Sequence, residues 1–263
     1  MSNEHIIYLK KIKRKKFLIK LTQIMIITIF LLIWQILSDF KIINSFIFSS
    51  PKNIINTIIK LYNSNNLFNH IGITLYELII SFVLGTFIGI FIAGILWSNN
   101  FLAKVLDPYL TIINSLPKVA LGPILIIWVG AKIKSIIVMA LLISVIVTIM
   151  NVYQGFITTD NDTIKLFKSL KATKLQIFFK LVLPSNYSNI ISSLKVNLSM
   201  SLVGIIMGEF LVSKQGIGYL IVYGSQVFNL SLVMSGIFIL CILVTIMYYV
   251  IVLIEKRINK ITK

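Results

Sequence analysis

The sequence predicts an all-α polytopic membrane protein with about six transmembrane helices, joined by a basic segment between spans four and five. Its composition points there first: 57% of the 263 residues are hydrophobic and 13% are charged. A soluble domain runs to about 45–50% apolar and about 25% charged. Second, apolar runs recur at the length a helix needs, about 20 residues at 1.5 Å rise, to cross about 30 Å of hydrocarbon. Third, the lysines and arginines that give a net charge of +17 sit almost entirely in the stretches between those runs, which is how membrane topology is encoded.

The first run, about Phe17–Leu37, follows a basic tail over residues 1–16. That order resembles a signal peptide, but the run ends Trp-Gln-Ile-Leu-Ser-Asp with no small-x-small cleavage site, so an uncleaved span is expected. A long loop, about Ser38–Asn69, contains PKNIINTIIKL (Pro51–Leu61), a short amphipathic helix with proline in its first turn. The second span, Ile71–Trp97, carries Gly85, Gly89 and Ala93 at four-residue steps. Such a small-residue face lets another helix approach closely, either within the chain or between two copies. The third, Val105–Val129, contains Pro108, Pro117 and Pro123; each removes a helix hydrogen bond and bends or breaks the rod. Freed carbonyls are tolerated only where protein or water covers them. Spans four to six follow at Ile133–Tyr153, Ser188–Val212 and Leu232–Ile254. The greater share of Lys and Arg falls at Lys10–Lys20, in the loop Lys165–Lys180 and at the C-terminus. These share one side, so both termini are expected in the cytoplasm. One domain is expected over 1–263.

Several function classes drop out. The basic residues form no stripe facing a groove, so no nucleic-acid partner is expected. One cysteine and two separated histidines build neither a disulfide framework nor a metal site. There is no phosphate-cradling glycine-rich loop ending Lys-Ser/Thr, so this chain is not expected to hydrolyse ATP, and no HExxH or Ser/His/Asp arrangement suggests an embedded enzyme.

The segment KLFKSLKATKLQIFFKLVLPS (Lys165–Ser185) carries the most information. Leu166, Leu170, Thr173, Ile177 and Leu181 follow three- and four-residue steps, which marks one apolar face. Asp160 and Asp162 suit a helix N-terminus. Thr173 with Gln176 fits a capping box, so a second helix is expected from Lys174. Pro184 breaks the pattern or opens the next span. Such an element either rests on acidic headgroups or docks into a partner. Charges at membrane depth mark Glu77, Lys118, Lys195 and Glu209. Lys195 can snorkel. Lys118, beside Pro117, attracts an anion or has a structural partner. Glu209 is placed to hold the Gly216-x-Gly218 turn or to gate, and Glu77 is a rim charge or pairs with a lysine.

The Leu183-Pro184 end and its spacing resemble the EAA loop of ABC-importer permeases, with Lys165, Leu166 and Phe167 in the Glu-Ala-Ala places and Lys171 in the Gly place. LDPYLTIINSLPKVALGPILIIWVG (Leu106–Gly130), GEFLVSKQGIGYLI (Gly208–Ile221) and NHIGITLYELIISFVLGTFIG (Asn69–Gly89) resemble the branch of that superfamily that takes up sulfonates, taurine, nitrate and thiamine precursors. The likeness runs from about Pro51 to Tyr223. Departures are Glu77 where the family has Arg, and Ser81, Lys171 and Ser193 where it has Gly. The resemblance implies a non-catalytic permease subunit of a bacterial cytoplasmic (inner) membrane, working as a homodimer, with a cytoplasmic ATP-binding subunit that carries ATP and Mg, and an extracytoplasmic substrate-binding protein. It implies a cytoplasmic coupling loop at 160–184, in which Lys165, Leu166, Lys168, Leu170, Lys171, Ala172, Thr173, Ile177, Phe178, Leu183 and Pro184 transmit motion. Glu77, Pro117, Lys118, Pro123, Glu209, Gly216 and Gly218 become pore or gating candidates. The expected cargo is a small organic anion such as a sulfonate, taurine or nitrate. A thiamine pyrimidine precursor is the alternative within the class, and a secondary transporter the alternative outside it. Paired broken spans typical of secondary transporters are not visible.

Overall fold

The computed structural model describes residues 3–261, and among them there are helices and turns but no strand. The first helix, α1 (Asn3–Asp39), runs unbroken from the basic tail into the first span. A one-turn helix α2 (Ser45–Phe48) leads to α3 (Pro51–Asn63), where Ser50 caps the Asn53 N–H at 3.2 Å and proline occupies the first turn. This is the expected amphipathic helix. It buries Ile54 and packs on the last helix.

The second span is α4 (Leu67–Ser98), closed by Asn99, whose side chain then caps α5 (Asn100–Ser115). The expected third span is not one rod. Helix α5 accommodates Pro108, but the chain breaks at Leu116-Pro117, turns through a 3-10 segment (Lys118–Leu121) and resumes as α6 (Gly122–Val129), bent by 83° from α5. Pro117 and Pro123 explain the break, since neither can donate a backbone hydrogen bond. Spans four, five and six are α7 (Ile133–Ile157), α11 (Tyr187–Val212) and α13 (Leu230–Ile261). Between α7 and α11 lie α8 (Asn161–Ser169), α9 (Lys174–Ile177), a π turn (Phe178–Val182) and α10 (Leu183–Ser185); α12 (Ile217–Gln226) lies between α11 and α13.

Helices α4, α7 and α11 form the centre, with α7 touching both neighbours along most of its length. Lipid tails are as apolar as leucine, so close van der Waals packing has to hold such helices together. Small residues provide it. A Cβ on Gly204 of α11 would lie 2.4 Å from the Ala140 Cα of α7, and one on Gly89 of α4 would lie 2.5 Å from Thr148 Cγ2. The Gly85, Gly89, Ala93 face therefore packs within the chain. Asn197 adds a polar clamp, donating to the Phe82 carbonyl at 3.1 Å and to the Thr86 hydroxyl at 2.6 Å across the α11–α4 seam. No residue of the most apolar stretch of α1 is buried, although its last turns reach α3. Lys195 does not simply snorkel: it forms a half-buried ion pair with Glu255 at 2.8 Å and lies over the Tyr248 ring.

Candidate functional site

The contacts define two ends of the bundle. At one, the C-terminal end of α4 and α7 meets the segment between α7 and α11; at the other, the N-terminal part of α4 meets the turn after α11.

The first end carries the 160–184 segment. Asp160 caps α8 by accepting from the Thr163 hydroxyl and from the Asp162 and Thr163 amides, and these bonds, the Thr163 hydroxyl foremost, hold its carboxyl below the usual range. Leu170 ends α8, and Lys171 stands at φ +58. The turn that a glycine would suit is thus kept by a lysine in the left-handed region, at about 1 kcal/mol or more. Lys171→Gly is expected to stabilise the segment by about that amount, read as a higher unfolding temperature with the helix content unchanged.

The expected capping box is present: the Gln176 amide donates to the Thr173 hydroxyl at 3.3 Å, and the Thr173 amide to the Gln176 side chain at 2.8 Å. The helix then widens. Pro184 offers no N–H to the Lys180 carbonyl, and the Leu183 amide reaches back to the Phe178 carbonyl, closing the π turn. Such turns recur at functional sites.

The face expected to pack is only partly the one that does. Ile177 and Val182 are buried in one cluster with Ala93 of α4 and Val152 and Phe156 of α7, with Ile164, Phe167, Ala172 and Leu183 packed around it. Phe178 wedges between Trp97 and Phe156, each 5.4 Å away between ring centres. Leu166 and Leu170, expected on that face, are 58% and 72% exposed. The left-handed Lys171 reorients the chain between α8 and α9, so a single periodicity cannot run through both. Leu166, Leu170 and Leu175 therefore stand uncovered beside Lys165, Lys168 and Lys174. Asn186 and Asn189 tie the return of the chain to α7 and its end, donating to the Thr159 hydroxyl at 2.8 Å and the Asn151 carbonyl at 3.1 Å.

At the second end, Glu209 holds the turn into α12. It accepts from Thr74 at 2.6 Å through Oε1 and from the Gly218 amide through Oε2. Thr74 in turn accepts from the Ile217 amide at 2.8 Å, and His70 Nδ1 accepts from the Gly216 amide at 3.0 Å. Gly216 stands at φ +107, and a Cβ there would fall 2.3 Å from the Glu209 carboxylate. Gly216→Ala meets both that clash and the strain of a region nearly closed to L-residues, about 1–3 kcal/mol for the backbone alone; a clear drop in unfolding temperature is the expected readout. Glu77 departs from expectation. It is neither a rim charge nor paired with a lysine; it is fully buried, with its carboxyl against Glu209. His70 and Thr74 were not singled out in the sequence, although Thr74, Glu77 and Ser81 repeat at helical spacing on one face of an apolar run, the signal that would have found them.

Lys118 lies at the break of the third span, buried, its ammonium donating to the Asn114 carbonyl at 2.9 Å and side chain at 3.2 Å. It has the structural partner considered for it, on its own helix end. Pro117 and Pro123 shape the bend around Lys118.

A multi-pass bundle with one broken span, a structured basic segment seated at one end and a carboxylate-held turn at the other defines a membrane transport component. The chain belongs to the family of binding-protein-dependent transport system inner membrane components, matched over residues 85–260, the permeases of ABC importers. It is 27% identical to a probable ABC transporter permease protein of Haemophilus influenzae, over 87% of this chain and 93% of the relative. It is 25% identical to a putative aliphatic sulfonates transport permease, SsuC, of Bacillus subtilis, over 87% and 83%. To the formylaminopyrimidine transport permease ThiX of Halalkalibacterium halodurans it is 29% identical, over 72% and 75%. In fold it is similar to a chain of the inward-facing MetNI methionine ABC transporter, with a TM-score of 0.62 and 19% identity, over 75% of this chain and 96% of that one.

Proposed function

We propose that this chain is the pathway-forming subunit of an ATP-driven importer for a small solute bearing an anionic group, such as a sulfonate, taurine or nitrate, with residues 160–184 as its coupling segment. The carrying observation is the split character of that segment. One side is locked into the α4–α7 core through Ile177, Phe178 and Val182, and the other offers uncovered leucines ringed by lysines. An element rigidly joined to the spans yet open on its far side is suited to pass a push from a partner into the bundle. The partner on this reading is a cytoplasmic ATP-binding subunit, which places the segment and both termini in the cytoplasm. An extracytoplasmic substrate-binding protein delivers the cargo at the opposite end, and ATP and Mg belong to the partner ATPase. Two copies of this chain enclose the pathway, with Tyr109, Ile112, Ile127 and Trp128 on the uncovered side of the broken span facing the shared axis.

An anionic cargo is supported by Lys118, a buried cation at a helix break with no carboxylate in ion pairing with it among the described residues, and by the sulfonate relative. A pyrimidine precursor is supported by the ThiX relative, and the binding protein's ligand decides between them.

The test is affinity capture of the tagged chain from native membranes in mild detergent. An ATPase at equal amounts, with this chain present twice, is expected. Leu170→Asp, which puts a charge on an uncovered residue, is expected to lower ATPase recovery at least tenfold with the chain still in the membrane. Capture of the chain alone, after crosslinking too, returns the segment to a lipid-facing loop and removes the coupling assignment.

A further inference from the structure

Glu77 and Glu209 are two carboxyl groups, 0% and 1% exposed, brought together from α4 and α11. Burying like charges side by side without a cation is prohibitive, and such pairs resolve by holding one proton between them. Among the described residues no lysine or arginine pairs with either of them; the two ion pairs join Lys165 to Asp162 and Lys195 to Glu255, both elsewhere. His70, the nearest titratable ring, uses Nδ1 as an acceptor for the Gly216 amide and stacks on Tyr219. An imidazolium has no acceptor nitrogen. Lys214 lies in the exposed turn.

The hydrogen bonds also distinguish the two carboxyls. Glu209 receives a donor on each oxygen, from Thr74 and from the Gly218 amide. That is the environment of a carboxylate. Glu77 receives none: both its oxygens are buried and take no hydrogen bond from any donor, and the Ser81 hydroxyl one turn away is likewise buried without a partner. A carboxylate at Glu77 would be stripped of water with nothing in its place, whereas the acid form has a donor to offer and Glu209 beside it to accept.

We propose that Glu77 and Glu209 form a carboxylic acid–carboxylate pair that holds one proton, carried on Glu77, as a built-in proton-binding site bracing the Gly216–Gly218 turn against α4. The proton supplies the missing donor across the α4–α11 seam. With Thr74 it is one of two bridges from α4 to the Glu209 carboxylate, so any movement that draws α4 away from the turn has to break or relocate it.

Infrared spectroscopy of the purified protein in lipid nanodiscs at neutral pH tests this. The chain has only eight acidic side chains; Asp162 and Glu255 are ion-paired and Asp160 accepts three hydrogen bonds, so background from protonated carboxyls is low. A carbonyl band of one protonated carboxyl, shifting in D2O, is expected in the wild type. Glu77→Gln should remove it while still folding, because the amide keeps a donor for Glu209. Glu209→Gln should move its frequency, because the acid loses its charged acceptor. No such band in the folded wild type overturns the proposal, and that spectrum decides the point even if neither variant folds. A band that persists unchanged in Glu77→Gln also overturns it. So does a band that emerges only when sodium and potassium are replaced by choline, since a metal ion would then occupy the pair.

Discussion

Ile177→Pro is expected to abolish uptake while the chain still inserts and still assembles at near-normal levels. Proline removes the Ile177 amide, which donates to the Thr173 carbonyl at 2.9 Å, and its ring collides with that same carbonyl, a loss of about 3 kcal/mol or more. It also empties a site that is only 2% exposed, at the centre of the cluster joining the segment to α4 and α7. Full burial of an isoleucine contributes about 1.5–3 kcal/mol. The spans themselves pack through other residues, so the damage stays local. The expected signature is ATP hydrolysis that continues in reconstituted vesicles while substrate accumulation falls at least a hundredfold. Accumulation at the wild-type rate would remove the segment from the coupling role.

Gly204→Val is expected to act on the bundle itself rather than on the segment at its end. Its Cβ would lie 2.4 Å from the Ala140 Cα and 3.0 Å from the Ala140 backbone nitrogen. A flexible side chain could step aside, but backbone cannot, so α7 and α11 would have to separate along the seam that anchors the bundle. Overpacking in a core typically costs about 1–3 kcal/mol, and a backbone obstacle places this case at or above the upper figure. The checks are thermal unfolding in detergent and yield of monodisperse protein. Gly72→Val is the control, since nothing lies within 4 Å of a Cβ there; it should leave both unchanged.

Spans were readable because lipid imposes them: every backbone group has to be satisfied inside the segment, so an apolar run of sufficient length becomes a helix. Their ends were displaced by a few residues, as with α4 beginning at Leu67 and α7 ending at Ile157, because capping near the interface depends on local side chains. The break in the third span was announced by its prolines, but not its 83° angle, which packing sets. Local capping was readable too: Asp160 over α8 and the Thr173–Gln176 box involve residues within three positions of each other. The buried face of the 160–184 segment was not, because Lys171 at φ +58 changes the direction of the chain and ends the periodicity that would put Leu166 and Leu170 on it.

By itself, then, the sequence determined what depends on neighbours along the chain: span number, where the rod breaks, the caps, and through several ordered motifs the family. The tertiary structure alone decided which distant groups meet. Glu77 and Glu209 are separated by more than a hundred positions and each reads as a lone membrane charge; only the α4–α11 seam makes them a pair. The same holds for the seating of Phe178 between Trp97 and Phe156. Hydropathy and capping act over a few residues, whereas the energy of a buried charge depends on what faces it across the bundle.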